Sequence, residues 1–196
     1  MRLSVKTLEN RFVRLEAFTE AHKEDLRAAC DADPDLWTNL YPYSMAGEHF
    51  DPMWKRMAAD AAANRSIHFA VMVADRCIGI TCYSSFDEVN AVCEVGGTYY
   101  HPDFRGGAVN PAAKRLIMGD AFASGARRVA FRVDALNLRS QAAVSKLGAV
   151  REGVLRQDRV TWTGRIRDTV VFSVLKPEWP DVRDRLDARL SAFPHP

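Results

Sequence analysis

Between His101 and Ser124 the chain reads HPDFRGGAVNPAAKRLIMGDAFAS, and this stretch restricts the possible folds more than any other. Two adjacent glycines and a small residue, Gly106, Gly107 and Ala108, lead through Val109, Asn110 and Pro111 into a run of helical period. Asn110 is placed to cap that helix through its side-chain oxygen. Pro111 suits the first helical position because its missing N–H would have been unpaired there anyway. Ala113, Leu116, Ile117 and Ala121 recur at helical spacing, and Gly125 ends the run. A glycine-rich turn feeding a helix leaves N–H groups at the positive end of a dipole, which suits a phosphate. The alternative is ordinary loop punctuation. The stretch lacks both the Gly-Lys-Ser/Thr of a P-loop and the G-x-G-x-x-G of a dinucleotide site.

The segment after Gly125 sharpens the reading. Val129, Phe131 and Val133 alternate with Arg128, Ala130 and Arg132 as in a half-buried strand, and a second capped helix runs from Asn137 to Leu147, closed by Gly148. The order of strand, Arg105-x-x-Ala108-x-Asn110 loop, helix, strand, Asn137-x-x-Ser140 helix and Gly148 resembles that of the Gcn5-related N-acetyltransferase (GNAT) family. Asn137-Leu-Arg-Ser140, Lys146-Leu-Gly148-Ala and Glu152-Gly153-Val-Leu-Arg156 are most similar to its RimJ/RimL-type branch, which acetylates ribosomal-protein N-termini. The resemblance spans roughly Arg11 to Leu175 and is specific from Tyr99 to Arg156. Two departures stand out. Ala108 and Asn110 occupy the places of the small residues in the family's loop, and Val144 occupies the slot where many relatives carry a tyrosine acid.

The resemblance implies an α/β (α+β) fold, a mixed, mostly antiparallel sheet of about seven strands flanked by helices, with splayed central strands. It implies acetyl-CoA as cosubstrate with no metal, an amine acceptor (a peptide or protein N-terminus, or a small molecule), and a homodimer. Gly106, Gly107, Ala108, Val109 and Asn110 would offer amides to the pyrophosphate, and Arg105 a guanidinium to a phosphate, unless it is tied up with Asp103. Backbone N–H groups around Thr98, Tyr99 and Tyr100 would meet the acyl and pantetheine groups, and Asn137 the pantetheine amide.

Acetyl transfer to an amine needs a proton removed from an ammonium, a donor to the carbonyl oxygen and a donor to the departing thiolate. Ser140 matches the serine acid of the RimL-type branch, the other reading being a plain first-turn helix serine. For the base, Glu152 in the segment the resemblance picks out is weighed ahead of Glu94, which lies beside two strand glycines. An acceptor arriving already neutral is the third option. Either carboxylate has the alternative of a salt bridge, for instance to Arg156 or Arg128. A different class of reading, a non-catalytic acyl-CoA sensor or interaction module that keeps the fold, is separated from an enzyme by thiol release.

The rest of the chain reads as one domain over residues 1–196. Phe12 to Ala17 forms a first strand. A helix capped by Thr19 carries Leu26, Ala29 and Cys30 inward and stops before Pro34. Asp35 to Gly47 is aromatic and loop-like, and Phe50, Met53, Trp54, Met57, Ala58 and Ala61 mark one face of a helix. From Ile67 the period becomes two, through Val73, and a turn at Asp75-Arg76 returns the chain through Ile78, Ile80 and Cys82. After a polar loop from Ser84 to Asn90, the strand Val92 to Tyr99 carries Gly96 and Gly97, which predict a bulge and a slot for the pantetheine arm beside it. Two strands, Val154 to Trp162 and Asp168 to Leu175, join at Thr163-Gly164-Arg165. Val182, Leu186, Leu190 and Phe193 then form an amphipathic helix that adds to the case for dimerisation.

A formal charge of +2, with arginines scattered rather than striped, argues against a nucleic-acid partner. No apolar run reaches the ~20 residues of a membrane span, and MRLSVKTLENRF lacks a signal-peptide core, so a cytoplasmic, membrane-free protein is expected. Cys30, Cys77, Cys82 and Cys93 form no C-x-x-C pair and read as buried thiols. His22 and His49 fall in helical stretches and His195 in a frayed tail, none with a role.

Overall fold

Every neighbouring pair of strands but one is antiparallel, and the exception creates an opening in the sheet. In the computed structural model, which describes residues 1–194, the strands are β1 (Leu8–Glu9), β2 (Arg14–Ala17), β3 (Ile67–Val73), β4 (Arg76–Asp87), β5 (Val92–Tyr100), β6 (Arg128–Asp134), β7 (Val150–Val160) and β8 (Ile166–Leu175). The expectation for His195 lies outside the described residues. The strands form one sheet in the order β1-β2-β3-β4-β5-β6-β8-β7. Its single parallel pair, β5 with β6, is joined only at Val92↔Arg128, Cys93↔Val129 and Glu94↔Ala130. Beyond those residues β5 runs on to Tyr100 and β6 to Asp134 with no pairing between them. Their outer sides remain laddered to β4 and β8. Two facing rows of backbone polar groups are thus left for another partner, because buried N–H and C=O groups rarely go unpaired.

The glycines of β5 make the expected bulge. Ile80 pairs with Tyr99 and Cys82 with Gly96, so two steps on β4 face three on β5. Gly97 adopts φ +55, and a Cβ there would lie 2.8 Å from Cys82 Sγ and 3.3 Å from Tyr43 Oη. Any other residue would be strained and would have to move its neighbours.

Helices cover both faces. On one side are α1 (Lys23–Asp31), α2 (Pro34–Leu40) and α3 (Phe50–Ala62), which bury Leu26, Trp37, Phe50, Trp54 and Met57 against Ala70, Met72, Ile80 and Tyr99. On the other are α4 (Val109–Ala123), α5 (Leu138–Leu147) and α6 (Trp179–Ser191), packed on Phe69, Val71, Tyr83, Phe131 and Phe172. Each such side chain, fully buried, contributes about 1.5–3 kcal/mol of transfer free energy. The four cysteines are free and buried, as thiols should be in such a core.

Several expectations need correction. Among the described residues the sheet has eight strands where about seven were expected, because the two residues of β1 are too few to show a period. The stretch expected as loop from Asp35 contains α2, started by Pro34 at its first turn and fixed by the fully buried Trp37. β4 extends through Ser84 to Asp87, shortening the polar loop, and β7 and β8 begin at Val150 and Ile166. The apolar face of α6, Val182, Leu186 and Leu190, is buried within the chain and so is not left over for a second copy. Among the described residues no helix is long and apolar enough to cross a membrane.

Candidate active site

A cavity of about 940 Å³ opens at the gap between β5 and β6, within the size range of small-molecule sites. Its mouth is the turn into α4. The helix starts at Val109 with Ala108 as N-cap, not at Asn110. The Asn110 side chain is instead turned to the Tyr100 hydroxyl, which donates to its Oδ1 at 3.4 Å. Ala108 has φ −72, a helical value that demands no glycine, whereas Gly106 has φ +82 with open space around its Cα. Among the described residues, the backbone N–H groups of 106 to 110 donate to no protein acceptor. Free amides grouped at a helix N-terminus are the chemistry a diphosphate needs.

Arg105 lines the same mouth but is not free to roam. Its Nε donates to the Tyr100 carbonyl at 2.8 Å, its Nη1 pairs with Asp33 rather than Asp103, and its guanidinium lies 5.1 Å over the Tyr99 ring. Among the described residues its Nη2 is buried without a partner, a group left over for a ligand. Asn137 caps α5 as expected, accepting from the Ser140 N–H at 2.9 Å, and both residues line the cavity. Gly148 closes α5 with φ +96.

Deeper in, the walls are side chains. Lys114 donates to Thr98 Oγ1 at 2.6 Å and to Thr81 Oγ1 at 3.3 Å, and the two hydroxyls meet at 2.9 Å. Burial lowers this lysine to about 8. Tyr41 donates its hydroxyl to the Thr98 carbonyl, while Tyr99 is a core residue, its hydroxyl on the Ala29 carbonyl at 2.7 Å and its ring stacked on Trp37. Leu36, Leu40, Tyr43 and Met53 also line the cavity. The β7–β8 hairpin grips that segment through Trp162 Nε1 on the Trp37 carbonyl at 3.1 Å.

The two candidate carboxylates separate cleanly. Glu94 lines the cavity beside Gly96, with Arg132 Nε at 3.4 Å; Arg132 is shared with Asp158 at 3.8 Å. Glu152 lies outside it, bound through both oxygens to Arg128 and accepting from Ser173 Oγ at 2.8 Å. The Arg128 hydrogen bonds hold its carboxyl down at about 2. For Glu152 the structure therefore gives the salt bridge, and that carboxylate is too acidic and too occupied to take a proton from an ammonium. His68, also on the cavity wall, is held down to about 4 by burial, with Nε2 2.9 Å from Ser66 Oγ and Nδ1 unpartnered among the described residues. Among the described residues no three His, Cys, Asp or Glu side chains converge as a metal site would require.

Sequence reasoning missed Lys114 and His68, while the aromatic segment Leu36 to Tyr43, read as a possible pocket floor, does line the cavity through Leu36, Leu40 and Tyr43. Lys114 had a signal: with Ile117, Met118 and Ala121 it completes an i, i+3, i+4, i+7 stripe, so a lysine falls on the buried face of α4. His68 comes from a chain segment far from the glycine turn and gave none.

The chain matches the acetyltransferase (GNAT) domain family over residues 13–150. Among solved structures, a T. thermophilus protein classed as an acetyltransferase superposes with a TM-score of 0.86 at 34% identity, covering 97% of this chain and 100% of that one. A GCN5-related N-acetyltransferase from Brucella melitensis gives 0.87 at 28% identity, covering 97% and 87%. Mycobacterium smegmatis RimJ, solved with CoA-disulfide, shares the fold at 0.79 and 19% identity, covering 94% and 93%. A comparison with curated proteins found no match.

Proposed function

This chain belongs to the GNAT acetyltransferase family, and from that premise we propose that it transfers the acetyl group of acetyl-CoA to a primary amine by direct attack in a ternary complex. The observation that carries the reading is the gap beyond Glu94 and Ala130, with unpaired amides at its mouth and a bulge within it. Acetyl-CoA, when bound, supplies an activated acyl thioester. The amides of Gly106, Gly107, Ala108, Val109 and Asn110, with Arg105 Nη2, would hold its phosphates, and Asn137 its pantetheine amide through the lone pair its cap leaves over.

Glu94 is the base of this reading. It takes the proton of the acceptor ammonium directly or through a water, and the same negative charge orients that ammonium before attack. Ser140, in the first turn of α5, donates to the departing thiolate, which the helix dipole also favours. The N–H groups around Thr98, in the bulge, donate to the acyl oxygen. The likeness to RimJ motivates a peptide N-terminus as one acceptor, and the aromatic floor from Leu36 to Tyr43 a small amine as the other. The homodimer and the cytoplasm belong to this reading too, the dimer now resting on the family likeness alone.

The test is thiol release from acetyl-CoA with a panel of short peptides and small amines. Release with at least one class is expected, and the class that wins names the acceptor. Tight CoA binding with no release across the panel would instead favour the acyl-CoA sensor.

A further inference from the structure

A cation withdrawn from water ordinarily finds an anion, since an isolated buried charge costs several kcal/mol or more. Arg105 and Arg167, both at the cavity, obey this and face Asp33 and Asp134. Lys114 does not. It is 5% exposed, its partners are the two threonine hydroxyls, and among the described residues no carboxylate is within ion-pairing distance of it. The carboxylate on its own helix, Asp120, is bound to Lys6 and to the Tyr83 hydroxyl. The positive charge therefore sits at the wall of the cavity, one hydrogen bond behind the bulge residue Thr98, with nothing negative to meet it.

On the reading of this cavity as an acyl-thioester site, we infer that Lys114 is a positioning residue: its ammonium, acting through the Thr98 and Thr81 hydroxyls, fixes the bulge and supplies the positive charge that the reacting acyl end requires. In the transfer the neutral amine's lone pair forms the C–N bond, the C–S bond breaks with its electron pair leaving on sulfur, and the proton then shed by the nitrogen passes to Glu94, which has already released the ammonium proton to water. Negative charge grows on the acyl oxygen and the sulfur, while Lys114 keeps its protons. Thr98 Oγ1 also reaches the Gly96 carbonyl at 3.3 Å, so the lysine braces both ends of the bulge.

Few groups perturb this charge. From β4 it feels the Cys82 thiol, itself pushed up to about 12 by burial. From β5 the titratable groups lining the same cavity are Tyr100, raised by burial and turned to Asn110, and Glu94, which is held by Arg132. On α4 Asp120 is already spent. Lys114 at about 8 is then a cation at neutral pH and loses its charge in mild alkali.

The test compares wild type with Lys114→Met by CoA calorimetry, thermal melting and kcat between pH 6.5 and 10. The variant should melt no lower than wild type, because an uncompensated buried charge has been removed. It should bind CoA within about twofold, and lose about 10- to 100-fold in kcat at pH 7 with the acceptor KM unchanged. The wild-type-to-variant ratio of kcat, in which acceptor ionisation cancels, should fall toward one as pH passes about 8. A ratio near one at pH 7, or one that stays constant to pH 10, overturns the inference. Should the methionine variant fail to fold, Thr98→Val decides: a drop of about tenfold in kcat supports the relay, and wild-type kcat overturns it. A wild type that neither binds CoA nor releases thiol overturns the enzymatic reading itself and this inference with it. CoA binding and turnover with a flat ratio overturn this inference alone.

Discussion

The mouth of the cavity and its inner end are built by different means. At the mouth the donors are backbone amides of 106 to 110, and Ala108 takes over the N-cap with an ordinary helical φ. At the inner end the donors and charges are side chains: Lys114, Thr98 and Thr81 hold one another, and Glu94 is held by Arg132. A site made of backbone tolerates a change of side chain as long as the turn survives. A site made of interlocked side chains does not keep its function, because removing one member takes away the charge or hydrogen bond that places the others. This difference explains how the loop departs from the family pattern and still keeps its amides free.

The contrast is tested first, and with the largest effect, at the two carboxylates. Glu94→Gln should lower kcat by about 10²- to 10³-fold, whereas Glu152→Gln should leave it within about twofold, as steady-state thiol release will show. Equal losses in both would return Glu152 to the chemistry. Next in size, Ser140→Ala should cost about tenfold in kcat with melting unchanged, because the Asn137 cap uses the Ser140 N–H and not its hydroxyl. At the mouth, Gly106→Ala meets open space but a left-handed backbone at φ +82. About 1 kcal/mol of stability should be lost and the KM for acetyl-CoA should rise a few-fold with kcat kept, read from denaturant unfolding and substrate titration. A kcat collapse there would show that the mouth is not a tolerant, backbone-made region.

The smallest effect lies outside the cavity. Glu152 falls from 4.5 to about 2 on folding because of Arg128, so its pair contributes stability above about pH 4.5 and loses it as pH falls through that window. Both partners are partly exposed, which limits the contribution to under about 1 kcal/mol. Wild type and Glu152→Gln should differ by that amount at pH 6 and converge near pH 2 in urea melts.

The same division decides what could be read from the sequence. The bulge at Gly96-Gly97, the Asn137 cap and Gly148 were legible because each is a local rule of backbone conformation. The start of α4 was displaced by two residues because Asn110, a good cap by type, is engaged by Tyr100 across the turn. For Glu152 the sequence leaves base and salt bridge both open, because its pairing with Arg128, 24 residues earlier, is fixed only across β8, where Ser173 completes the set. Lys114 was written in the period of α4 but overlooked among alanines, and the place of His68 on the cavity wall depends on how β3 packs, which no local pattern records.

The most direct test is electron density from a crystal soaked with acetyl-CoA. The diphosphate should lie on the amides of 106 to 110, the pantetheine between β5 and β6, and the acyl group beside Thr98 with Glu94 facing it. Density confined to the protein exterior, or a ligand lying across the sheet with the β5–β6 gap empty, would contradict this assignment.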